Sequence, residues 1–271
     1  MIICTKNDSK NVFPCIEERY SELLQTVNLE GENLVCIAGR PGMGKTALSF
    51  YMALEYALKH LKTVYIFSMD LSAEWVYDRL LIQLSEIDSY TFRNYKLNQK
   101  DLSEEESEKL ARAREKVSQV DLIIDDQIVL TIQEIEAKLR KTSNLGVVVV
   151  DYMQLIIGDG KSSTRVQECK EIVRQLKLLS MEFNIPIILI SQLPRSVEYR
   201  KDKRPRLSDL EGAGVLECDV DIVCLIYREG YYEPYENPEA AEIIIPKNKC
   251  GDCGVLKLKW QGCCAKFSED I

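Results

Sequence analysis

The sequence lacks several features on which whole classes of function depend. His60 is its single histidine, which argues against histidine-based triads and multi-histidine metal sites. No apolar run reaches the ~18 residues of a membrane-spanning helix, and no apolar stretch follows a basic start, as a secretory signal requires, so we expect no membrane partner. Acidic residues outnumber basic ones by 43 to 35, which argues against coating nucleic acid by bulk charge. The remaining possibility is a globular chain of 271 residues.

Ten cysteines are present without a secretion signal, so reduced thiols and a cytoplasmic location are expected. Cys250 and Cys253 have the spacing of a zinc-binding pair. The adjacent Cys263 and Cys264 could supply two more ligands, but neighbouring residues are a poor chelate for one tetrahedral ion. Zinc is therefore a weak alternative for this segment.

Helical and strand-like patterns alternate along the chain. The predicted helices are 16–27, 44–60, 72–86, 103–119, 131–141 and 164–183. The predicted strands are 33–38, 64–67, 122–125, 147–150, 185–190, 221–227, 241–246 and 255–260. This alternation predicts an α/β fold with a mostly parallel central sheet flanked by helices, and the late strands predict antiparallel hairpins at its edge.

The segment from Gly39 to Thr46 matches the P-loop pattern GxxxxGK[ST] and lies between a predicted strand and a predicted helix. Glycines in such a loop let backbone amides surround phosphates at the helix N-terminus. Lys45 is expected to reach the β- and γ-phosphates, and the Thr46 hydroxyl to ligate Mg²⁺. The predicted nucleotide-binding residues are Gly39, Gly42, Met43, Gly44, Lys45, Thr46 and Ala47.

Polar side chains end three other predicted strands. Asp151 follows a buried β-branched run and has the Walker B position, which holds the water shell of the metal. Gln192 can face the γ-phosphate or be a solvated loop residue. Asp70 can orient the attacking water, or Asp70 or one of its neighbours Ser68 and Ser72 can cap the next helix.

The segment 195–206 carries six basic and two acidic residues. Pro205 favours an extended backbone before it, so we expect a mobile loop able to contact phosphates. A solvated surface loop is the alternative. Tyr227, Tyr231 and Tyr232 could offer stacking surfaces for bases, although aromatic clusters more often serve packing.

Seven motifs occur in order between Gly39 and Gly254: GRPGMGKT, FSMDLS, VVVVDYMQLI, ISQLPRSVEYRKDKRP, LSDL, ECDVDIVCLIYREGYY and IIIPKNKCGDCG. Together they resemble the ATPase domain of DnaB-type replicative helicases. The resemblance implies a RecA-like P-loop NTPase core at 31–271, preceded by an N-terminal segment at 1–30 that corresponds to a partial linker or helix. It also implies ATP and Mg²⁺ as cofactors, a six-membered ring with nucleotide sites between subunits, and single-stranded DNA in the channel.

The resemblance implies family roles for individual residues. Lys45, Thr46 and Asp151 match the P-loop and Walker B residues, and Gln192 matches the glutamine that senses the γ-phosphate. Lys247 and Lys249 match the Lys-x-Arg pair that reaches the neighbouring subunit's site. The positions that match DNA-facing parts of the family are Arg195, Arg200, Lys201, Lys203, Arg204, Glu211, Gly212 and Gly214.

Three of these positions depart from the family pattern. The water-activating Glu is replaced by Asp70, whose carboxylate is about 1.5 Å shorter in reach. An Arg that faces DNA phosphates in the family is Glu211 here. Lys249 replaces the Arg of the Lys-x-Arg pair, which keeps the charge but loses the bidentate fork.

The sequence therefore predicts ATP hydrolysis coupled to movement on single-stranded DNA. The departures leave open a divergent relative that binds nucleotide and DNA or a partner but unwinds little. A regulatory ring component that acts on a primase or a full-length helicase is also open, because the family's helical N-terminal domain is not recognisable. A recombinase or clock-type ATPase is disfavoured by the segments DYMQL and YREGYY.

Overall fold

The computed structural model describes residues 2–4, 21–158, 164–210, 218–233, 235 and 237–269. The strands are β1 (Ile2–Cys4), β2 (Leu34–Gly39), β3 (Thr63–Ser68), β4 (Leu122–Asp125), β5 (Leu130–Thr131), β6 (Leu145–Asp151), β7 (Ile156–Ile157), β8 (Ile187–Gln192), β9 (Ile222–Arg228), β10 (Ala240–Asn248), β11 (Gly254–Gln261) and β12 (Lys266–Glu269). The helices are α1 (Ser21–Thr26), α2 (Lys45–His60), α3 (Ala73–Ser85), α4 (Ser89–Lys96), α5 (Glu104–Val117), α6 (Ile132–Leu139), α7 (Arg165–Phe183) and α8 (Glu229–Tyr232).

Ten of these strands form one sheet in the order β1-β4-β3-β6-β8-β2-β9-β10-β11-β12, while β5 and β7 pair separately. The six strands from β4 to β9 in this order are parallel, and β9 to β12 are antiparallel to one another. The mostly parallel sheet with C-terminal antiparallel strands is confirmed. Six elements that the sequence pattern did not predict are β1, β5, β7, β12, α4 and α8.

Helices cover both faces of the sheet and bury a separate apolar cluster on each. On one face, α2 and α3 contribute buried residues such as Phe50 and Leu80. On the other, α6 and α7 contribute residues such as Ile135 and Leu176. The parallel strands are buried on both faces and therefore read as continuous apolar runs, such as 147–150 in β6.

The N-terminal elements pack against the rest of the chain. Ile2 pairs with Ile124 of β4 in antiparallel register, and Leu23 of α1 is completely buried in the core. The Glu269 carboxylate accepts hydrogen bonds from the amides of Glu22 (2.9 Å) and Leu23 (3.3 Å), which caps the start of α1. The predicted division of the chain at residue 31 stays a prediction.

The carboxyl ends of four parallel strands meet at one edge of the sheet. Gly39 of β2 lies beside Gln192 of β8, and Ser68 of β3 lies beside Asp151 of β6. This end of the sheet collects the predicted catalytic side chains of the P-loop, β6 and β8, but not Lys249. Within the described residues, no helix is both long enough and apolar enough to pass through a membrane.

Candidate active site

The P-loop connects β2 to α2 with a backbone that needs glycine. Gly42 and Gly44 have φ values of 75° and 100°, in the region that favours glycine. A Cβ on Gly44 would lie 2.7 Å from the Trp260 ring and 2.8 Å from the Phe267 ring. These two aromatic residues of β11 and β12 therefore hold the loop against the antiparallel end of the sheet.

Lys45 begins α2, and its ammonium donates a hydrogen bond to the Arg40 carbonyl oxygen at 3.1 Å. Burial lowers the pKa of Lys45 to about 8, although the negative charge of Asp151 opposes this shift. A partly desolvated ammonium is a strong partner for phosphate oxygens because little water has to be displaced.

Thr46 and Asp151 form the pair predicted for a metal. The Thr46 hydroxyl donates to Asp151 Oδ2 at 2.8 Å, although the two residues are 105 positions apart in the sequence. Burial raises the pKa of Asp151, while the Thr46 hydrogen bond and the charge of Lys45 oppose the rise. A hydroxyl and a carboxylate at this spacing form the hard oxygen donor set that suits Mg²⁺.

Asp70 and Gln192 lie with Lys45, Thr46 and Asp151 around one open cavity of about 1110 Å³. Ser72, not Asp70, caps α3, because its side chain accepts a hydrogen bond from a backbone amide in the first turn. The exposed Asp70 carboxylate contributes to the raised pKa of Asp151, so the two acids are close enough to interact. The structure thus brings together these five predicted residues.

Arg79 also lines the cavity, although no sequence motif singled it out. Its guanidinium lies 4.1 Å from the centroid of the Trp75 ring. Burial lowers the pKa of Arg79, and the negative charge of Asp151 opposes that shift. The sequence did not identify Arg79 as a site residue, because an arginine in an amphipathic helix such as α3 is typical of a solvated face. Trp260 was read only as a strand residue, yet it borders the same cavity.

Lys247 and Lys249 lie at the end of the sheet opposite the P-loop, where β2 and β9 begin. The Lys249 ammonium pairs with Asp221 Oδ1 at 3.0 Å, and Asp221 Oδ2 accepts a hydrogen bond from the Leu34 amide at 2.8 Å. Burial favours a higher pKa for Asp221, but the Leu34 amide and two lysines hold it below its usual range. Leu34 begins β2 and Gly39 ends it, about 16 Å further along. Neither lysine reaches the P-loop of its own chain.

The basic segment is more ordered than the sequence predicted. The expected extended backbone is wrong for Arg195–Tyr199, which forms a 3₁₀ turn. Arg200 makes a bidentate ion pair with Asp209 at 2.7 and 2.8 Å. Two side-chain nitrogens of Arg204 bind the Glu242 carboxylate at 2.9 and 2.7 Å. These ion pairs hold the side chains of Arg200 and Arg204 in place. The count of charges in the segment did not reveal them.

The remaining basic side chains differ in their surroundings. Arg195 and Lys201 are exposed, whereas the Lys203 ammonium lies 4.8 Å from the centroid of the Tyr232 ring. The Arg204 guanidinium lies 4.6 Å from the Tyr227 ring, so both tyrosines pack against cations of the chain. The predicted DNA-facing positions Glu211, Gly212 and Gly214 lie outside the described residues.

The cysteine-rich end does not form a metal site within the described ranges, where no three or more potential His, Cys, Asp or Glu ligands come together. The Cys250 thiol donates to Asn33 Oδ1 at 3.2 Å. Cys264 is buried beside Gln261 and borders the P-loop cavity.

A P-loop follows β2 of a mostly parallel sheet, and a Walker B carboxylate ends β6, which β8 separates from β2. This arrangement defines a P-loop NTPase domain. The family model described as "DnaB-like helicase C terminal domain" matches residues 17–269. The chain therefore belongs to this family, which confirms the resemblance found in the sequence.

Individual relatives agree with the family assignment. The replicative DNA helicase DnaB of Geobacillus stearothermophilus is 40% identical over 238 residues, which cover 86% of this chain and 51% of the relative. The replicative DNA helicase DnaC of Bacillus subtilis is 39% identical, with the same coverage. This chain spans about half the length of these curated relatives.

Two solved structures share the fold. One, described as an ATPase domain, superposes with a TM-score of 0.84 at 29% identity, covering 97% of this chain and 94% of that one. A DnaB-like replicative helicase, described together with its interactions with primase, also gives 0.84 at 30% identity, covering 94% of this chain and 62% of that one. The RecA-like architecture predicted from the resemblance is confirmed.

Proposed function

We propose that this chain is an ATP-hydrolysing motor domain that moves on single-stranded DNA as part of a ring, in the manner of a replicative helicase. The observation that carries the proposal is the hydrogen bond of 2.8 Å between Thr46 and Asp151, beside Lys45 and Asp70 in one cavity. Family membership supports the DNA-directed part. A cytoplasmic location belongs to the same proposal.

The phosphates bind where the P-loop amides and the N-terminus of α2 converge. Lys45 exchanges its hydrogen bond to the Arg40 carbonyl for one to the β- and γ-phosphate oxygens. Thr46 and Asp151 would hold Mg²⁺, and the bound ion would neutralise charge on those oxygens. Arg79 adds positive charge from α3 at the same cavity.

The proposed reaction is attack of water on the γ-phosphate. Asp70 orients the water by accepting a hydrogen bond from it. The support for this role is that Asp70 lines the same cavity as Asp151 and affects its pKa. Gln192 ends β8 beside the P-loop strand and donates toward the γ-phosphate. Because β8 leads directly into the basic segment, this contact is placed to report the nucleotide state to DNA-facing residues.

The site is completed by a second subunit. Lys249 and Lys247 lie at the end of the sheet away from their own P-loop. In the proposed head-to-tail ring they act on the P-loop of a neighbouring chain. A head-to-tail arrangement that closes into a ring, expected to be a hexamer, gives each site one such lysine pair. Primase is a further proposed partner, because one structural relative is described with it.

DNA contact is proposed for the exposed cations Arg195 and Lys201, followed by residues 211–214. Arg200, Lys203 and Arg204 contribute to the same surface while their local partners hold them in place. Binding that rests on several cation–phosphate contacts weakens steeply with salt. A flat salt response would indicate that the segment is only a solvated face.

The test of the nucleotide site is Lys45→Ala, with Lys109→Ala as a control because Lys109 lies on the exposed surface of α5. Fluorescent ATP binding and Mg²⁺-dependent hydrolysis should be lost in the first variant and unchanged in the second. Unchanged nucleotide binding by a folded Lys45→Ala protein would contradict the proposal.

A further inference from the structure

Arg40 of the P-loop connects the nucleotide site with the basic segment. Its Nε donates to Glu198 Oε1 at 2.8 Å, and its Nη1 donates to the Leu193 carbonyl oxygen at 2.7 Å. Both charged side chains are mostly buried, with exposures of 14% for Arg40 and 22% for Glu198. The sequence separation of 158 residues means that only the fold brings them together.

The backbone of Arg40 is in contact with the catalytic lysine. Its carbonyl oxygen accepts hydrogen bonds from the Lys45 ammonium at 3.1 Å and from the Met43 amide at 3.3 Å. Under the proposed function, Lys45 leaves this carbonyl for the phosphates. Phosphate binding thus removes a contact from the backbone of Arg40, and the side chain of the same residue binds Glu198.

Glu198 lies in the 3₁₀ turn Arg195–Tyr199 at the start of the basic segment. The hydrogen bond from Arg40 holds the pKa of Glu198 below its usual range, so the pair is ionised at neutral pH. Two residues further on, Arg200 makes its bidentate ion pair with Asp209. Asp209 ends the 3₁₀ turn Leu207–Asp209, so two ion pairs link the P-loop, the basic segment and this turn.

We propose that Glu198 is a positioning residue that couples the nucleotide state of the P-loop to the placement of the basic segment 195–206. This inference rests on the proposed function, since it presumes that DNA stimulates hydrolysis. Glu198 does not touch the phosphates, and the one predicted DNA contact that it pairs with is Arg195 of its own turn, at 3.5 Å. Its effect is transmitted by Arg40 on one side and by the turn on the other.

The competing interpretation is an ion pair that only stabilises the fold. A stabilising pair changes the unfolding midpoint but leaves the ratio of DNA-stimulated to basal hydrolysis unchanged. A coupling pair changes this ratio while basal hydrolysis and ATP affinity stay near the wild-type values. The ratio therefore separates the two roles.

The experiment compares Glu198→Ala and Glu198→Gln with wild-type protein. Hydrolysis is measured with and without an oligothymidylate, together with fluorescent ATP binding, oligonucleotide binding and thermal unfolding. Glu136→Ala is the matched control, because Glu136 pairs with Arg140 on the exposed surface of α6.

We expect the stimulation ratio of Glu198→Ala to fall by about fivefold or more, with both binding affinities retained. The stimulation ratio of Glu198→Gln should lie between those of Glu198→Ala and wild type, because the glutamine amide oxygen still accepts a hydrogen bond from Arg40. This second variant serves as the test if the alanine variant does not fold. The control should match wild type. A wild-type stimulation ratio in folded Glu198→Ala would overturn the coupling but not the proposed function. If the alanine variant does not fold, the same result in Glu198→Gln has this meaning. Absence of DNA stimulation in the wild-type protein would overturn the proposed function and the coupling with it.

Discussion

At the scale of single residues, the protonation of Lys45 sets a pH dependence. Its pKa of about 8 means that the ammonium carries its charge below this pH and loses it above. Phosphate oxygens stabilise the charged form, so nucleotide binding takes up a proton when the solution is more basic than the pKa.

The affinity for ATP should accordingly be constant below about pH 8 and then fall by about tenfold per pH unit. Calorimetric titration in two buffers of different ionisation enthalpy measures both the affinity and the proton uptake. A constant affinity from about pH 7 to 9, with the protein folded throughout, would show that Lys45 is not titrating in this range.

Asp70 is the residue on which hydrolysis, as distinct from binding, should depend. In Asp70→Asn the side chain keeps its size but no longer orients water as a charged acceptor, so kcat should fall by about 100-fold or more. ATP affinity should change little, because Asp70 does not contact the phosphates in the proposed geometry.

Single-turnover hydrolysis, with ATP binding measured in parallel, tests this. Asp78→Asn is a useful control, because Asp78 also borders the cavity but pairs with Lys96 at 2.6 Å. Equal kcat values in Asp70→Asn and wild type would remove Asp70 from the mechanism.

At the scale of elements, the antiparallel strands β11 and β12 support the P-loop. Trp260 and Phe267 fill the space beside Gly44, and the Arg228 guanidinium stacks on Trp260 at 4.4 Å while donating to the Gly42 carbonyl oxygen at 2.9 Å. Burial lowers the pKa of Arg228 to about 10. The last strands of the sheet thus form one wall of the nucleotide cavity.

Gly44→Ala should therefore disrupt nucleotide binding and destabilise the protein by about 1–3 kcal/mol. The new Cβ would clash with both aromatic rings, and the φ of 100° disfavours any side chain. Gly254→Ala is the matched control, because a Cβ at Gly254 would have no neighbour within 4 Å. Urea unfolding and ATP binding measure the two effects, and wild-type behaviour of Gly44→Ala would contradict this packing.

Elements with a strong periodic pattern were predictable, and short or edge elements were not. Strand 122–125 and helix 164–183 match β4 and α7 within one residue at each end. In contrast, β1 and β12 have three and four residues, so their pairing depends on distant partners rather than on a local pattern. Helix α4 begins after the Asp88 cap, but only Phe92 in it is buried, so its apolar periodicity is too weak to identify.

In the candidate site, too, residues with a local sequence signature were predictable and residues that depend on distant partners were not. The P-loop and Asp151 carry local signatures, so their meeting at the carboxyl edge could be predicted. Arg79 and the Arg40–Glu198 pair could not, because their roles depend on which charges the fold brings together. The ion pairs of Arg200 and Arg204 likewise depend on Asp209 and Glu242, which the net charge of the segment does not reveal.

At the scale of the whole molecule, the proposed ring makes Lys249 part of the catalytic site of a neighbouring chain. Lys249→Ala should reduce hydrolysis while ATP binding to its own P-loop persists. A mixture of Lys249→Ala and Lys45→Ala proteins should recover activity, because roughly a quarter of the sites then combine an intact P-loop with an intact neighbouring lysine.

Hydrolysis measured across mixing ratios tests this complementation. Each variant mixed with wild-type protein controls for simple dilution. No recovery at any ratio, in mixtures shown to assemble together, would mean that Lys249 does not act on the neighbouring site.

We propose above all that the chain couples ATP hydrolysis to single-stranded DNA within a ring. The most direct measurement is hydrolysis by the purified protein with and without single-stranded DNA, combined with its mass in solution with nucleotide bound. We predict DNA-stimulated turnover in a ring-sized assembly. Tight ATP binding without DNA-stimulated turnover, in a monomer or dimer, would contradict the account.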